Sequence, residues 1–229
     1  MKEVHGKYLH QSHLYVPSSV GVICFTIDPS SQNIYLLLGQ ESDFHHLRYG
    51  NTGKWCDFGG KPKDGETLAE TAARELTEEG LGTIMLHHDH RTPFADYEAS
   101  VCAQLEQGDY DLQLRVFWGL VLRVYYLKEI PWQPSAPELF MRTRKAFFRM
   151  AGTQRCPYIY RKHPGVHIGK DQVVRIRNTF LEKYRIAFWS LDRLSYVVNH
   201  YGRYKTQRFR SSFRPILKFL IGYFRKYYV

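Results

Sequence analysis

Residues 59–82 read GGKPKDGETLAETAARELTEEGLG. From Glu66 to Glu79 the composition is helical throughout, and Leu68, Ala72 and Leu76 recur at i, i+4 and i+8, which predicts one buried stripe. Gly80 and Gly82 then supply a stop. On such a helix Glu75 lies one turn from both Glu78 and Glu79, so three carboxylates share a face and repel one another by roughly a few tenths of a kcal/mol per pair. A hard divalent cation with oxygen ligands neutralises a face of this kind. Arg74 and Glu78 are also spaced i, i+4, and a solvated helix laced with ion pairs is the competing explanation. That explanation leaves the Gly59-Gly60 turn, at its fixed distance before the helix, without a purpose.

Gly60, Glu66, Arg74, Glu75, Leu76, Glu78 and Glu79 stand at the fixed positions of the pattern G-x5-E-x7-R-E-U-x-E-E-x-G-U, where U is a bulky aliphatic. In this the stretch resembles the box of the Nudix hydrolases. At its end Gly80-Leu81-Gly82 replaces x-G-U and reads as a one-residue deletion. The resemblance implies an α/β fold, an α/β/α sandwich around a mixed sheet in which the box forms a loop, helix, loop. It also implies hydrolysis of a pyrophosphate linkage with Mg²⁺ or Mn²⁺. Carried over position by position, Glu75, Glu78 and Glu79 bind the metal, and a backbone carbonyl of Gly59 or Gly60 completes the shell. Arg74 and Glu66 orient Glu75 and pin the loop. The metal polarises a phosphoryl oxygen and activates a water. Glu79 is the first choice for general base, with Glu182 and Glu98 as carboxylates outside the box able to take that role.

Working outward, Ser19 to Ile27 and Ile34 to Leu38 are β-branched, apolar runs separated by Asp28-Pro29-Ser30-Ser31-Gln32-Asn33, a hairpin pattern. Gln40 to Gly53 reads as a loop leading to a short strand at Lys54 to Phe58. Beyond the box, Thr83 to Leu86, Ala95 to Ala103 and Leu112 to Val124 are expected to be strands. Pro131, Pro134 and Pro137 precede a basic segment of helical composition, Glu138 to Met150, so a basic, mostly helical insertion is expected at about 131–180, its core spanning Pro131 to His163. A helix at Asp171 to Glu182, a strand at Ile186 to Trp189 and a last helix at Ser212 to Tyr227 complete the reading. In that last helix Phe213, Ile216, Leu217, Leu220, Ile221 and Phe224 make one apolar stripe.

With 229 residues and 44% apolar composition the chain can bury a sizeable core, and one domain over 1–229 is expected. The longest apolar run, Val116 to Leu127, is interrupted by Arg123, and no signal segment opens Met1 to Val16, so no membrane span and an intracellular, cytoplasmic location are expected. Cys24, Cys56, Cys102 and Cys156 lack C-x-x-C spacing and read as packing residues. His87-His88-Asp89-His90 alternates between faces if extended and reads as a loop or strand end.

Charge is segregated along the chain. Up to Glu138 there are 11 Lys/Arg against 19 Asp/Glu, and from Leu139 onward 21 against 3, a balance of −8 followed by +18. The acidic half suits cations and the basic half polyanions. Phe188-Trp189-Ser190-Leu191-Asp192-Arg193-Leu194, the basic stretch Arg203 to Arg214 and the last helix resemble the ends of mRNA-decapping Nudix enzymes of large DNA viruses. Capped RNA, or another phosphate-rich substrate such as a diphosphoinositol polyphosphate, dinucleoside polyphosphate or nucleotide sugar, is the expected partner. A catalytically silent RNA-binding module is the third possibility, which the intact glutamates disfavour. Arg203, Lys205, Arg208, Arg210 and Arg214 are the expected phosphate contacts. Phe147, Phe148, Tyr158, Tyr160, Tyr201 and Tyr204 are candidates for stacking on bases, against their commoner use as packing.

Overall fold

The computed structural model describes residues 17–42, 53–86, 92, 94–152, 182–200 and 209–228. In chain order the elements are β1 (Ser19–Ile27), β2 (Ile34–Glu41), β3 (Trp55–Cys56), β4 (Phe58–Gly60), α1 (Leu68–Gly80), α2 (Phe94–Glu106), β5 (Leu112–Trp118), β6 (Val121–Glu129), α3 (Ala136–Gly152), β7 (Lys183–Ser190), α4 (Leu191–Asn199) and α5 (Arg214–Tyr227). β1 lies at the centre of the sheet. Its Val20, Val22 and Cys24 face one side and Ile23 and Phe25 the other, all fully buried, as in a strand covered on both faces.

β1 pairs antiparallel with β2 and parallel with β6, so the sheet is mixed. β5 extends it beyond β6, and β7 covers the far edge of β2. Between β1 and β2 the sheet forks: β3 pairs with β2 at Gly39 and Gln40, while β4 pairs with β1 from Val20 to Val22. Helices α1, α2 and α3 bury Ala72, Leu76, Val101 and Phe140 on the Val20 face. On the Phe25 face, α4 and α5 bury Leu194, Leu217, Leu220 and Phe224. Two cores on one sheet make the expected α/β/α sandwich. The whole apolar stripe of the last helix is buried, with Pro215 in its first turn, where a missing N–H is tolerated.

Helix α1 begins at a capping box. Thr67 Oγ1 accepts from the Glu70 N–H at 3.1 Å, and Glu70 Oε2 accepts from the Thr67 N–H at 2.7 Å. Replacing Thr67 by Ala is expected to cost about 1 kcal/mol, readable as a lowered urea midpoint. Leu81 follows the helix with φ +56°. Counted without a gap, the box pattern has its glycine at this position, and here Leu81 adopts the left-handed conformation itself. The strain, about 1 kcal/mol, is offset by burying a side chain that is 1% exposed.

Three expected strands turn out otherwise. Residues 95–103 lie in helix α2, where Tyr97, Val101 and Leu105 are buried at i, i+4 and i+8; their β-forming character hid the helical period. The run 112–124 is broken into β5 and β6 by a two-residue turn in which Gly119 has φ +60°. The apolar tip concealed it, because Phe117, Trp118, Leu120 and Val121 are all exposed. Residues 83–86 form no strand. The Gln133 side chain takes the place of a neighbour, accepting from the Met85 N–H at 2.8 Å and donating to its carbonyl at 3.0 Å. The helix expected at 171–182 lies outside the described residues except for Glu182, as do His87 to His90 and Cys156.

Candidate functional site

The Gly-Gly turn and α1 meet where the sheet forks. Gly59 donates its N–H to Glu79 Oε2 at 2.8 Å, and a side chain at Gly60 would collide with the Glu75 carboxylate. Asp57 sits buried at the fork, and a Cβ at Gly21 or Gly59 would lie 2.7 or 2.9 Å from its Oδ2, so both backbones depend on having no side chain there.

Arg74 organises the loop. It holds Glu66 through Nε at 2.7 Å and Nη2 at 2.9 Å, donates to the Lys61 carbonyl at 2.9 Å, and reaches Glu75 and Glu78 through Nη1, the latter at 3.4 Å. The Arg74 fork, helped by the Lys63 N–H and the Thr71 hydroxyl, holds the Glu66 carboxyl down at about 2. Arg74→Lys keeps the charge and loses the fork. Turnover is expected to fall about 10–100-fold, measured alongside metal affinity; an unchanged rate contradicts the role.

The other carboxylates are raised chiefly by burial, which their basic neighbours only partly offset. Burial pushes Glu75 up, with Arg74 opposing. Burial also raises Glu78, and repulsion from Glu182 and Glu98 adds to it. Glu79 is raised well above the ordinary range, by burial first, against Lys183, and then by Glu41, Glu75 and Glu182. The predicted convergence of Glu75, Glu78 and Glu79 is incomplete. Among the described residues no three His, Cys, Asp or Glu side chains are gathered in metal-ligand geometry. Glu75 is turned onto Arg74, and Glu79 is shared between the Gly59 N–H and Lys183, so basic neighbours decide where the carboxylates point. The donor set itself, oxygens only and mutually repelling, fits a hard divalent cation.

Behind the glutamates lies a polar cluster absent from the sequence expectations. Lys183 of β7, fully buried, places its Nζ 3.0 Å from Glu79 Oε1, 2.6 Å from Glu41 Oε1 and 3.0 Å from Cys56 Sγ. Burial disfavours its charge, but the surrounding anionic groups more than compensate and keep the ammonium protonated. Glu41, despite burial, is held at about 2 by Lys183 and Arg210. Cys56 donates to Glu41 Oε1 at 2.8 Å, which makes it part of this cluster where a packing residue was expected. Arg210, expected at a phosphate-binding surface, instead has its Nη2 2.9 Å from Glu41 Oε1. A charge on a buried strand has no periodic signature. Its only sequence trace is that Lys183 and Glu41 occupy positions in runs otherwise apolar enough to be covered.

Both carboxylates proposed outside the box reach it electrostatically. Glu182 acts on Glu78 and Glu79, and its carbonyl accepts from the Ser42 N–H at 2.8 Å, which fixes it beside β2; Glu98 acts on Glu78. Phe147 is core, packed on Phe94 at 5.9 Å. Arg203, Lys205, Arg208, Tyr158, Tyr160, Tyr201 and Tyr204, and the side chain of Phe148, lie outside the described residues. Arg214 is half-buried at the start of α5.

Residues 17–101 match the model of the NUDIX domain. No curated protein matches the chain in sequence. Similar solved structures include a C. elegans Ap4A hydrolase binary complex, with 11% identity, 91% of this chain and 98% of that chain covered, and a TM-score of 0.40. The NUDIX domain of Shewanella oneidensis NrtR complexed with ADP ribose shows 14% identity over 96% and 94%, with a TM-score of 0.41. A mutT/nudix family protein from Listeria innocua shows 14% identity over 91% and 93%, also with a TM-score of 0.41. With its loop, helix and loop seated at the fork of a mixed sheet, the segment 17–101 is similar to a NUDIX domain.

Proposed function

We propose that the protein hydrolyses a pyrophosphate linkage in the 5′ cap of mRNA. The observation that carries this reading is the pairing of an acidic, glutamate-bearing first half with a second half holding 21 basic and 3 acidic residues, so that a cation site and a polyanion surface share one chain. Glu75, Glu78 and Glu79, with a carbonyl of Gly59 or Gly60, are the groups that would hold Mg²⁺ or Mn²⁺. Bound there, the ion supplies charge stabilisation to a phosphoryl oxygen and lowers the pKa of a water. Arg74 fixes Glu75 and Glu78, Glu66 fixes Arg74, and Glu79 takes the proton of the attacking water, with Glu182 the alternative acceptor. The RNA is held by its phosphates through Arg203, Lys205, Arg208 and Arg214. If each neutralises one phosphate, log affinity for single-stranded RNA falls with log salt at a slope of roughly −3.

Capped RNA, free cap dinucleotide and an inositol pyrophosphate, each incubated with Mg²⁺ or Mn²⁺, decide the matter. The highest kcat/KM is expected on capped RNA. A better rate on inositol pyrophosphate or on the free dinucleotide overturns the proposed substrate, and absence of product from all three overturns the enzyme.

A further inference from the structure

Helix α5 buries Ile216, Leu217, Leu220 and Phe224, and two ladders run beside that face, an aromatic one on its flank, whose Phe219 and Tyr223 pack partly against the same core, and a basic one on the outer side. Phe219, Tyr223 and Tyr227 recur at i, i+4 and i+8, with adjacent ring centroids 6.3 and 5.1 Å apart and the first two rings within 21° of parallel. Beside them run Lys218, Gly222 and Lys226 at the same spacing. Gly222 leaves a gap between the lysines, for a Cβ built there meets no atom within 4 Å. Together with Leu112 of β5 the ladders wall a cleft of about 400 Å³.

We propose that this cleft binds a nucleotide unit of single-stranded RNA, away from the catalytic glutamates, with a base against the aromatic ladder and the flanking phosphates on Lys218 and Lys226. The two lysines are about 12 Å apart along the helix, one on each side of the gap. Neither has an ion-pair partner among the described residues. α5 contains no acidic residue, and Asp111, whose charge acts on Tyr223, accepts from the Tyr228 hydroxyl at 2.9 Å and the Glu129 N–H at 3.0 Å. Aromatic faces interleaved with cations accept any base, which is how sequence-tolerant single-strand sites work. A bilayer is met by protruding apolar side chains, whereas this site is concave and flanked by charge.

The cleft is remote from the glutamates. α5 lies on the other face of the sheet from α1, and Phe25, which Phe224 touches at 4.9 Å, is five residues along β1 from the partner of Gly60, roughly 17 Å. A free cap dinucleotide cannot span both places. The site therefore serves the body of an RNA, and the inference rests on RNA being the ligand.

Binding of an uncapped, labelled RNA of about 20 nucleotides, without metal, tests it by anisotropy across a salt series. Gly222→Glu fills the gap with a carboxylate, and Gly222→Ala controls for helix propensity, which either change improves. Gly222→Glu is expected to weaken binding about tenfold or more, and Gly222→Ala less than about twofold. Lys218→Ala with Lys226→Ala is expected to flatten the salt slope by about 1.4. Dinucleotide hydrolysis should be unchanged in all of them. Unaltered RNA affinity in Gly222→Glu overturns the site, as does a variant that loses binding to phosphatidylserine vesicles and keeps RNA. Because the probe carries no cap, these outcomes are independent of whether caps are the substrate cleaved.

Discussion

Glu79→Gln is expected to lower turnover on the order of 10³-fold on every pyrophosphate substrate while the protein stays folded. The substitution keeps volume and an acceptor for the Gly59 N–H, now at 2.8 Å from Oε2, but removes the charge that metal binding and proton transfer both need. Lys183 retains Glu41 at 2.6 Å, so the buried ammonium is not left without a counter-charge. Steady-state rates with titrated Mn²⁺, alongside urea unfolding, separate the two effects. A near wild-type rate with unchanged metal dependence would move the proton acceptor to Glu182 or Glu98.

Lys183→Met is expected to destabilise the fold by about 3–5 kcal/mol, because it strips the shared cation from two carboxylates that are 1% and 3% exposed. Burial alone would favour the apolar side chain, and the lysine stem already lies across Gly39, where a Cβ would approach its Cδ to 2.8 Å. The loss thus reports unpaired charge. Combining Lys183→Met with Glu79→Gln should cost less than the sum of the single changes, since it removes both ends of one pair. A single-variant loss below about 1 kcal/mol would show that Arg210 suffices for the cluster.

The sandwich and the box helix were legible because each rests on a local pattern: the unbroken apolar run of β1, the helical stripes of α1 and α5, and fixed spacing from Gly60 to Glu79. Where a β-forming side chain sat on a helix, as Tyr97 and Val101 do, composition misled and the four-residue interval told the truth. The hairpin tip at Gly119 was hidden because its neighbours are apolar yet exposed. The Lys183 cluster was illegible for a different reason. Its members stand 142 and 127 residues apart in the chain, and only the pairing of β7 with β2 brings them together.

That pairing bears on how the protein can be cut. A fragment ending at residue 101 contains the entire family match but neither β6 nor β7. Its β2 would present to water the row of backbone donors and acceptors that β7 covers from Tyr35 to Glu41, and β1 would lose its parallel neighbour. Open edges of that length recruit other strands, so such a fragment should precipitate on expression when the full chain does not. The box is thus a piece of sequence that can be recognised alone but whose sheet is closed by strands outside the match.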